Sequence, residues 1–111
     1  MKTGDVVLIA FPFTNSVGVK KRPALVIFDS KDGDLILARI TSKKYQTNFD
    51  IEVSDWKSAG LLSESTIRLH KLATLEASMV ATVLGKLSTL DFDIFLNKIK
   101  DLMIDNLPPF D

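Results

Sequence analysis

Arg68 and His70 are two side chains whose types and spacing suit chemistry at a phosphate. They lie two positions apart in segment 66–70, where apolar and polar residues alternate, so we expect both on one face of a strand. Imidazole can act as a general base near neutral pH, and a guanidinium can hold a phosphate through two parallel hydrogen bonds. The pair therefore fits phosphoryl transfer at an RNA 2′-hydroxyl. The same alternation also fits the exposed face of an ordinary amphipathic strand.

Arg22 is a second candidate, because it follows a predicted loop and immediately precedes Pro23. Proline restricts the residue before it to extended backbone, which fixes the direction in which the arginine leaves the chain. A positioned arginine of this kind can bind a phosphate, although it also fits a plain surface residue. Thr41 and Ser42 end a predicted strand with two hydroxyls, which can bind a phosphate or simply cap the strand end.

Basic residues are concentrated in the first ninety positions of a chain with no net charge. The 14 basic and 14 acidic side chains balance, which argues against binding nucleic acid through bulk charge. Residues 91–111 hold two lysines and five aspartates, a net charge of −3, so residues 1–90 carry +3. We expect either solvated surface charges or a basic face that contacts flanking phosphates, built from two short groups: Lys20 and Lys21 beside Arg22, and Lys43 and Lys44.

Several classes of site are excluded or disfavoured by composition. The absence of cysteine excludes disulfides, zinc–thiolate sites and thiol nucleophiles, and a single histidine disfavours a histidine-rich metal site. The Asp32-Gly33-Asp34 segment is too short for a calcium loop and predicts a turn. We therefore expect no metal and no cofactor. Apolar runs are shorter than the ~18 residues of a membrane span, and the first residues lack a signal-peptide pattern, so we expect a cytoplasmic protein.

The hydrophobic pattern predicts one domain of 111 residues, residues 1–111, that is mainly β. A capping box at Ser88–Asp91 predicts a helix start, in which the serine hydroxyl and the aspartate carboxylate bind free helix amides. The helix must end before Pro108. A short turn or a single helical turn is expected within 55–64. Short β-branched or alternating runs predict the strands, which would form a small antiparallel barrel or rolled sheet: 5–11, 24–28, 35–41, 49–53, 66–70 and 79–84.

Five segments in order resemble the MazF/PemK toxin family, in its PemK-like branch. The resemblance covers about residues 3–105, and no single segment is specific alone. The matching segments are Gly-Asp-Val-Val at 4–7, Lys-Arg-Pro-Ala-Leu-Val-Ile at 21–27, Ala-Arg-Ile-Thr-Ser at 38–42, the stretch 55–75 with Asp-Trp-Lys-Ser-Ala-Gly-Leu-Leu and Ser-Thr-Ile-Arg-Leu, and Leu-Gly-Lys-Leu at 84–87.

The resemblance implies an SH3-like antiparallel barrel with a C-terminal α-helix and one short helical turn, and a homodimer. It also implies a metal-independent endoribonuclease that cuts single-stranded RNA and is neutralised by a cognate antitoxin. A base would take the proton of the 2′-hydroxyl, and attack on phosphorus would give a 2′,3′-cyclic phosphate and a 5′-hydroxyl. The alternative is a non-catalytic SH3-like module that binds nucleic acid or protein, one form of which is a family member whose chemistry has lapsed, with His70 as the mark of the loss.

The family's catalytic positions transfer to four residues of this sequence. By resemblance, Arg22 falls on a catalytic arginine and Thr41 on a catalytic threonine, and Arg68 falls on an arginine proposed as general acid. His70 stands where relatives often carry an aspartate proposed as the base, and histidine is chemically competent for that role. The flanking phosphates would be held by the loop 15–21 and the end of the third strand, through Lys20, Lys21, Ser42, Lys43 and Lys44.

Overall fold

A computed structural model describes residues 1–12 and 19–107, which form one antiparallel sheet followed by a helix. Most of the predicted loop before Arg22 and the prolines after the helix lie outside the described residues. Strand β2 already begins at Val19, so Lys20 and Lys21 belong to a strand and not to the loop. The strands are β1 (Asp5–Pro12), β2 (Val19–Asp29), β3 (Asp34–Thr41), β4 (Asp50–Glu52), β5 (Thr66–Glu76) and β6 (Val80–Lys86), and the helix α1 spans Thr89–Lys100.

The six strands follow the order β4-β5-β3-β2-β1-β6, and every neighbouring pair is antiparallel. This confirms the prediction of a mainly β fold with one C-terminal helix. The hydrogen-bonded order has two ends, so the sheet is rolled but not closed into a barrel. One end is β4, which spans only three residues and, within the described part of the chain, pairs with β5 alone. No helix among residues 1–12 and 19–107 is long and apolar enough to cross a bilayer.

The core lies on both faces of the rolled sheet, which explains the continuous apolar runs in β1 and β2. Adjacent residues Val6 and Val7 are both fully buried but belong to different clusters. Val6 lies in the larger cluster, which Phe95 of α1 covers. Val7 lies in the smaller one, which the short 3-10 helical turn Ala77–Met79 and its flanking residues cover. A strand buried on both faces carries no period-2 alternation.

The start of α1 is only partly as predicted. The Ser88 hydroxyl accepts a hydrogen bond from the Asp91 amide at 3.1 Å, which confirms the serine cap. The Asp91 carboxylate does not bind helix amides, however. It accepts from the backbone N–H groups of Ser54 at 3.2 Å and Asp55 at 2.9 Å, and it is 1% exposed. The predicted capping carboxylate therefore ties the helix to the segment after β4.

Residues 54–65, the turn segment, follow β4 and begin with consecutive turns, which is one of the two forms expected for 55–64, and a short helical turn lies between β5 and β6. Gly60 has a φ of +81°, a conformation that favours glycine. A Cβ atom at this position would lie 2.1 Å from the Leu84 carbonyl oxygen. The turn segment therefore packs backbone to backbone against β6, and no side chain fits between them.

Candidate active site

Arg22 and Thr41 lie together at one end of the sheet. The last paired residues of β2 and β3 at this end are Ala24 and Arg39. Arg22 comes two positions before Ala24, and Thr41 comes two positions after Arg39. Both line one pocket of about 320 Å³, which the turn segment closes on the other side. The polar lining residues are Lys21, Arg22, Thr41, Ser42, Ser63 and Ser65, and the apolar ones include Leu8, Leu61 and Leu62.

The two predicted catalytic residues of this pocket are both able to donate hydrogen bonds into it. Arg22 is exposed and has no ion pair among residues 1–12 and 19–107. Thr41 is half-buried, and its Oγ1 atom accepts a hydrogen bond from the Lys43 amide at 3.1 Å. That contact fixes the oxygen and leaves the hydroxyl proton free to donate. A guanidinium and a hydroxyl in one pocket suit a phosphate group.

Arg68 is placed differently, because its guanidinium is held by other side chains. Its Nε atom donates to the Asp50 Oδ1 atom at 2.9 Å, and its guanidinium carbon lies 3.6 Å from the centre of the Tyr45 ring. The Asp50 side chain is 1% exposed and that of Arg68 is 11% exposed. Burial raises the pKa of Asp50, but hydrogen bonds from Arg68 and Thr47 lower it by more, so the carboxylate is ionised.

His70 lies on the outer face of β5 with Arg68, as the alternation predicts, since Ile67 and Leu69 are fully buried. Its ring centroid is 4.7 Å from that of Phe49. Thr66, on the same strand, pairs with Thr41. His70 is four positions further along β5, about 13 Å away at the usual strand rise. The structure therefore unites Arg22 with Thr41, and it places Arg68 and His70 in a neighbouring cluster.

The predicted phosphate-binding residues lie around these two places and are all exposed. Lys21 and Ser42 line the Arg22 pocket, and Ser42 also lines a neighbouring pocket with Lys44. The Lys43 ammonium lies 5.2 Å from the centre of the Tyr45 ring. Lys20 pairs with Phe11 of β1 and does not line the Arg22 pocket.

Tyr45 and Asp50 are residues of this region that the sequence reasoning missed. A signal for Tyr45 was present, because it directly follows Lys43 and Lys44, and an aromatic residue beside basic ones is typical of nucleic-acid-binding surfaces. Asp50 gave no such signal, because it reads as the polar face of an alternating strand. Within 1–12 and 19–107, no three acidic or histidine side chains gather as a metal site would require.

The fold and the pocket define a small β protein with a pocket that presents a guanidinium and several hydroxyl groups. The chain belongs to the PemK-like, MazF-like toxins of type II toxin–antitoxin systems, whose family model matches residues 2–103. A search of curated proteins finds no significant match.

Solved structures share the fold at low identity. A mycobacterial endoribonuclease in complex with its cognate antitoxin has a TM-score of 0.72 at 14% identity, over 97% of this chain and 99% of that one. A MazE–MazF structure from Deinococcus radiodurans has a TM-score of 0.74 at 16% identity, over 93% and 95%. The Mycobacterium tuberculosis toxin MazF-mt6 has a TM-score of 0.71 at 14% identity, over 89% and 95%.

Proposed function

We propose that the protein is an endoribonuclease toxin that cuts single-stranded RNA and leaves a 2′,3′-cyclic phosphate and a 5′-hydroxyl. The observation that carries the proposal is the pocket that brings Arg22 and Thr41 together in a member of this toxin family. Two proteins that share the fold are a mycobacterial endoribonuclease in complex with its cognate antitoxin and a second mycobacterial endoribonuclease.

The reaction uses a nucleophile that belongs to the substrate. A base takes the proton of the 2′-hydroxyl, the oxygen bonds to the adjacent phosphorus, and the bond from phosphorus to the 5′-oxygen breaks as that oxygen gains a proton. Arg22 neutralises the charge that develops on the phosphoryl oxygens, and Thr41 donates a hydrogen bond to one of them. His70 as the base and Arg68 as the acid are proposed on the family resemblance alone, because the structure holds both in the neighbouring cluster, with His70 about 13 Å along β5 from the residue that pairs with Thr41.

Binding of the flanking nucleotides falls to the exposed basic and hydroxyl residues. Lys20 and Lys21 on β2 would contact phosphates on one side of the cut, and Ser42, Lys43 and Lys44 at the end of β3 would contact those on the other. Since the nucleophile is the RNA 2′-hydroxyl, the chemistry requires no metal ion. DNA lacks that hydroxyl, so it can be bound but not cut.

The direct test incubates the purified protein with RNA of mixed sequence in EDTA and maps the cuts. We expect discrete fragments that carry 2′,3′-cyclic phosphates, and none from an RNA whose 2′-hydroxyl at the cut site is replaced by hydrogen. RNA that is bound but intact would support the non-catalytic binding module. RNA cut only with added Mg²⁺ would contradict the proposed mechanism.

The protein partner in this proposal is the cognate antitoxin. A groove of about 510 Å³ beside the Arg22 pocket has a mainly apolar floor, and its charged lining residues are Arg22, Arg39 and Lys71. Such a groove complements an acidic segment with apolar side chains, and occupation of Arg22 would block phosphate binding. Adding the product of an adjoining antitoxin gene should stop cleavage in proportion to the amount bound.

We also propose a homodimer that acts in the cytoplasm. The helix buries part of its apolar face within the chain, because Phe95 is buried and Phe92 and Ile99 pack against the chain's own core. Support for the dimer that the resemblance implies comes from apolar residues that stay exposed on β5, β6 and α1. These are Leu72, Val83, Leu90, Ile94 and Leu96. Light scattering that gives a mass near 12.3 kDa at micromolar concentration would contradict the dimer.

A further inference from the structure

We infer that Phe49 stacks against an unpaired base of the RNA beside the cleavage pocket, so that its exposed ring is the stacking platform. This inference rests on the proposed function, because it names a contact to the same substrate. Sequence reasoning placed Phe49 only in a strand with one wet face and gave it no role. The position of its ring in the structure suggests one.

The Phe49 ring is exposed although its backbone is fixed. The side chain is 43% exposed, and its centroid lies 4.7 Å from that of His70 with 38° between the planes. Its carbonyl accepts a hydrogen bond from the Leu69 amide at 2.9 Å, and its own amide donates to the Thr47 hydroxyl at 3.2 Å. The ring is therefore held at a defined place while much of its surface faces solvent.

A second stacked pair lies beside the platform on the same outer face of β5. The Arg68 guanidinium carbon lies 3.6 Å from the centre of the Tyr45 ring, and the Lys43 ammonium lies 5.2 Å from that centre. Aromatic rings and arginine planes are the surfaces on which proteins stack the unpaired bases of single-stranded RNA. Nearby cations bind the backbone that links those bases.

A second pocket, of about 290 Å³, adjoins the cleavage pocket. Ser42 and Ser65 line both pockets, and Tyr45 and Thr47 line the second one, so its far side lies two residues along the chain from Phe49. A nucleotide strand that leaves the Thr41 hydroxyl can follow these pockets towards the exposed rings.

The charge of the second pocket indicates which part of a nucleotide enters it. Its lining includes the carboxylates Asp50, Glu52 and Glu64, of which only Asp50 is paired with an arginine. Carboxylates repel phosphate, so we expect the phosphate to stay outside near Lys44 and the base to lie on the inner side. This arrangement directs the next base along the strand towards Phe49.

The test measures binding and cleavage with Phe49 variants. The probe is a single-stranded RNA with 2′-O-methyl groups, which cannot be cut, and with 2-aminopurine beside the mapped cut site. We expect Phe49→Leu and Phe49→Ala to weaken binding about tenfold and to abolish the quenching of 2-aminopurine on binding, because stacking on the ring is lost. Phe49→Trp should retain both. On cleavable RNA, Phe49→Leu should raise KM by the same factor.

Phe28→Leu is the matched control, since Phe28 is 56% exposed and lies near the end of β2, just before the turn to β3. It should bind and cut like the parent protein, and thermal unfolding should show that every variant is folded. If Phe49→Leu binds RNA and quenches 2-aminopurine like the parent, the inference is wrong. The proposed function still stands in that case, provided that the parent protein cleaves RNA. If the parent protein neither binds nor cuts RNA, the proposed function itself is wrong, and the inference with it.

Discussion

Arg22 and Arg68 are the same residue type on the same sheet, but the structure places them in opposite surroundings. Arg22 is exposed at the mouth of a pocket and, within the described residues, forms no ion pair. Arg68 is bound to a buried Asp50 and stacked on Tyr45. The first guanidinium can give all its donors to a ligand, whereas the second has already given its Nε–H.

This difference shows how a partner residue decides what an arginine does. A free guanidinium in a pocket with hydroxyl groups can bind a phosphate as the transition state forms. A guanidinium paired with a buried carboxylate would leave that charge without a partner if it moved away, at a cost of several kcal/mol. We therefore expect changes at the Arg22 pocket to alter cleavage, and changes at the Arg68 cluster to alter stability as well.

The largest expected effect is at His70, which belongs to the Arg68 cluster but is the predicted base. His70→Ala should slow cleavage by about 10²–10⁴-fold, the usual contribution of a positioned proton-transfer group. His70→Asp should retain part of the rate, because a carboxylate can accept the same proton. Cleavage rates from pH 5 to 8 check this. An unchanged rate and pH profile for His70→Ala would assign the base elsewhere.

Arg22→Lys should lower the cleavage rate by about 10²-fold or more, because lysine keeps the charge but lacks the planar fork that binds two phosphate oxygens. The melting temperature should not change, since Arg22 has no partner in the described structure to lose. Single-turnover kinetics and thermal unfolding together check both statements. A variant that cuts at the parental rate would remove Arg22 from the site.

Asp50→Asn should lower the free energy of unfolding by about 2–3 kcal/mol, because a buried charged hydrogen bond to Arg68 is weakened. Glu52→Gln is the matched control, since Glu52 is exposed on the same three-residue strand. Urea unfolding of both variants gives the comparison. Equal stability of the two variants would show that the Arg68–Asp50 pair contributes nothing net to the fold.

The smallest effect is the pH dependence of that pair. The pKa of Asp50 is lowered in the folded protein, so its stabilising effect is present above the ordinary aspartate value of about 4 and is lost as pH falls below it. Asp29 and Asp32 also have lowered pKa values, through hydrogen bonds from Lys31 and Ser30. Their effect on the pH dependence of stability is the same in the parent protein and in Asp50→Asn. The stability difference between the parent and Asp50→Asn should therefore shrink from pH 6 to pH 3. A constant difference would contradict the lowered pKa.

Much of the fold could be predicted from local pattern, because each main strand has either a β-branched run or clear alternation. The strand between 66 and 70 was correctly predicted, with Arg68 and His70 on its outer face. The second half of β5 was missed, because residues 71–76 are exposed or half-buried and show no alternation. That the sheet is open also could not be predicted from the sequence, because closure depends on the order of the strands and not on the pattern of any one segment.

The site was predictable only as far as family resemblance and strand ends allow. Thr41 ends β3, and Arg22 lies within β2, two positions before Ala24, the last β2 residue that pairs with β3; the two side chains meet in the pocket beyond that pair. The pairing of Arg68 with Asp50 joins residues 18 positions apart, and no pattern within either strand indicates it. The sequence also did not indicate that the turn segment lines the pocket, because no pattern within it shows where it packs.

The Asp91 carboxylate has a consequence for how the molecule opens. Because the carboxylate accepts hydrogen bonds from the Ser54 and Asp55 amides, it protects both amides against exchange with solvent deuterium. Both amides should therefore exchange only when the first turn of α1 detaches, and at the same rate as the amide of Asp91. The segment that starts there closes the Arg22 pocket, so deuterium uptake at two loop amides would report how often the pocket wall is released.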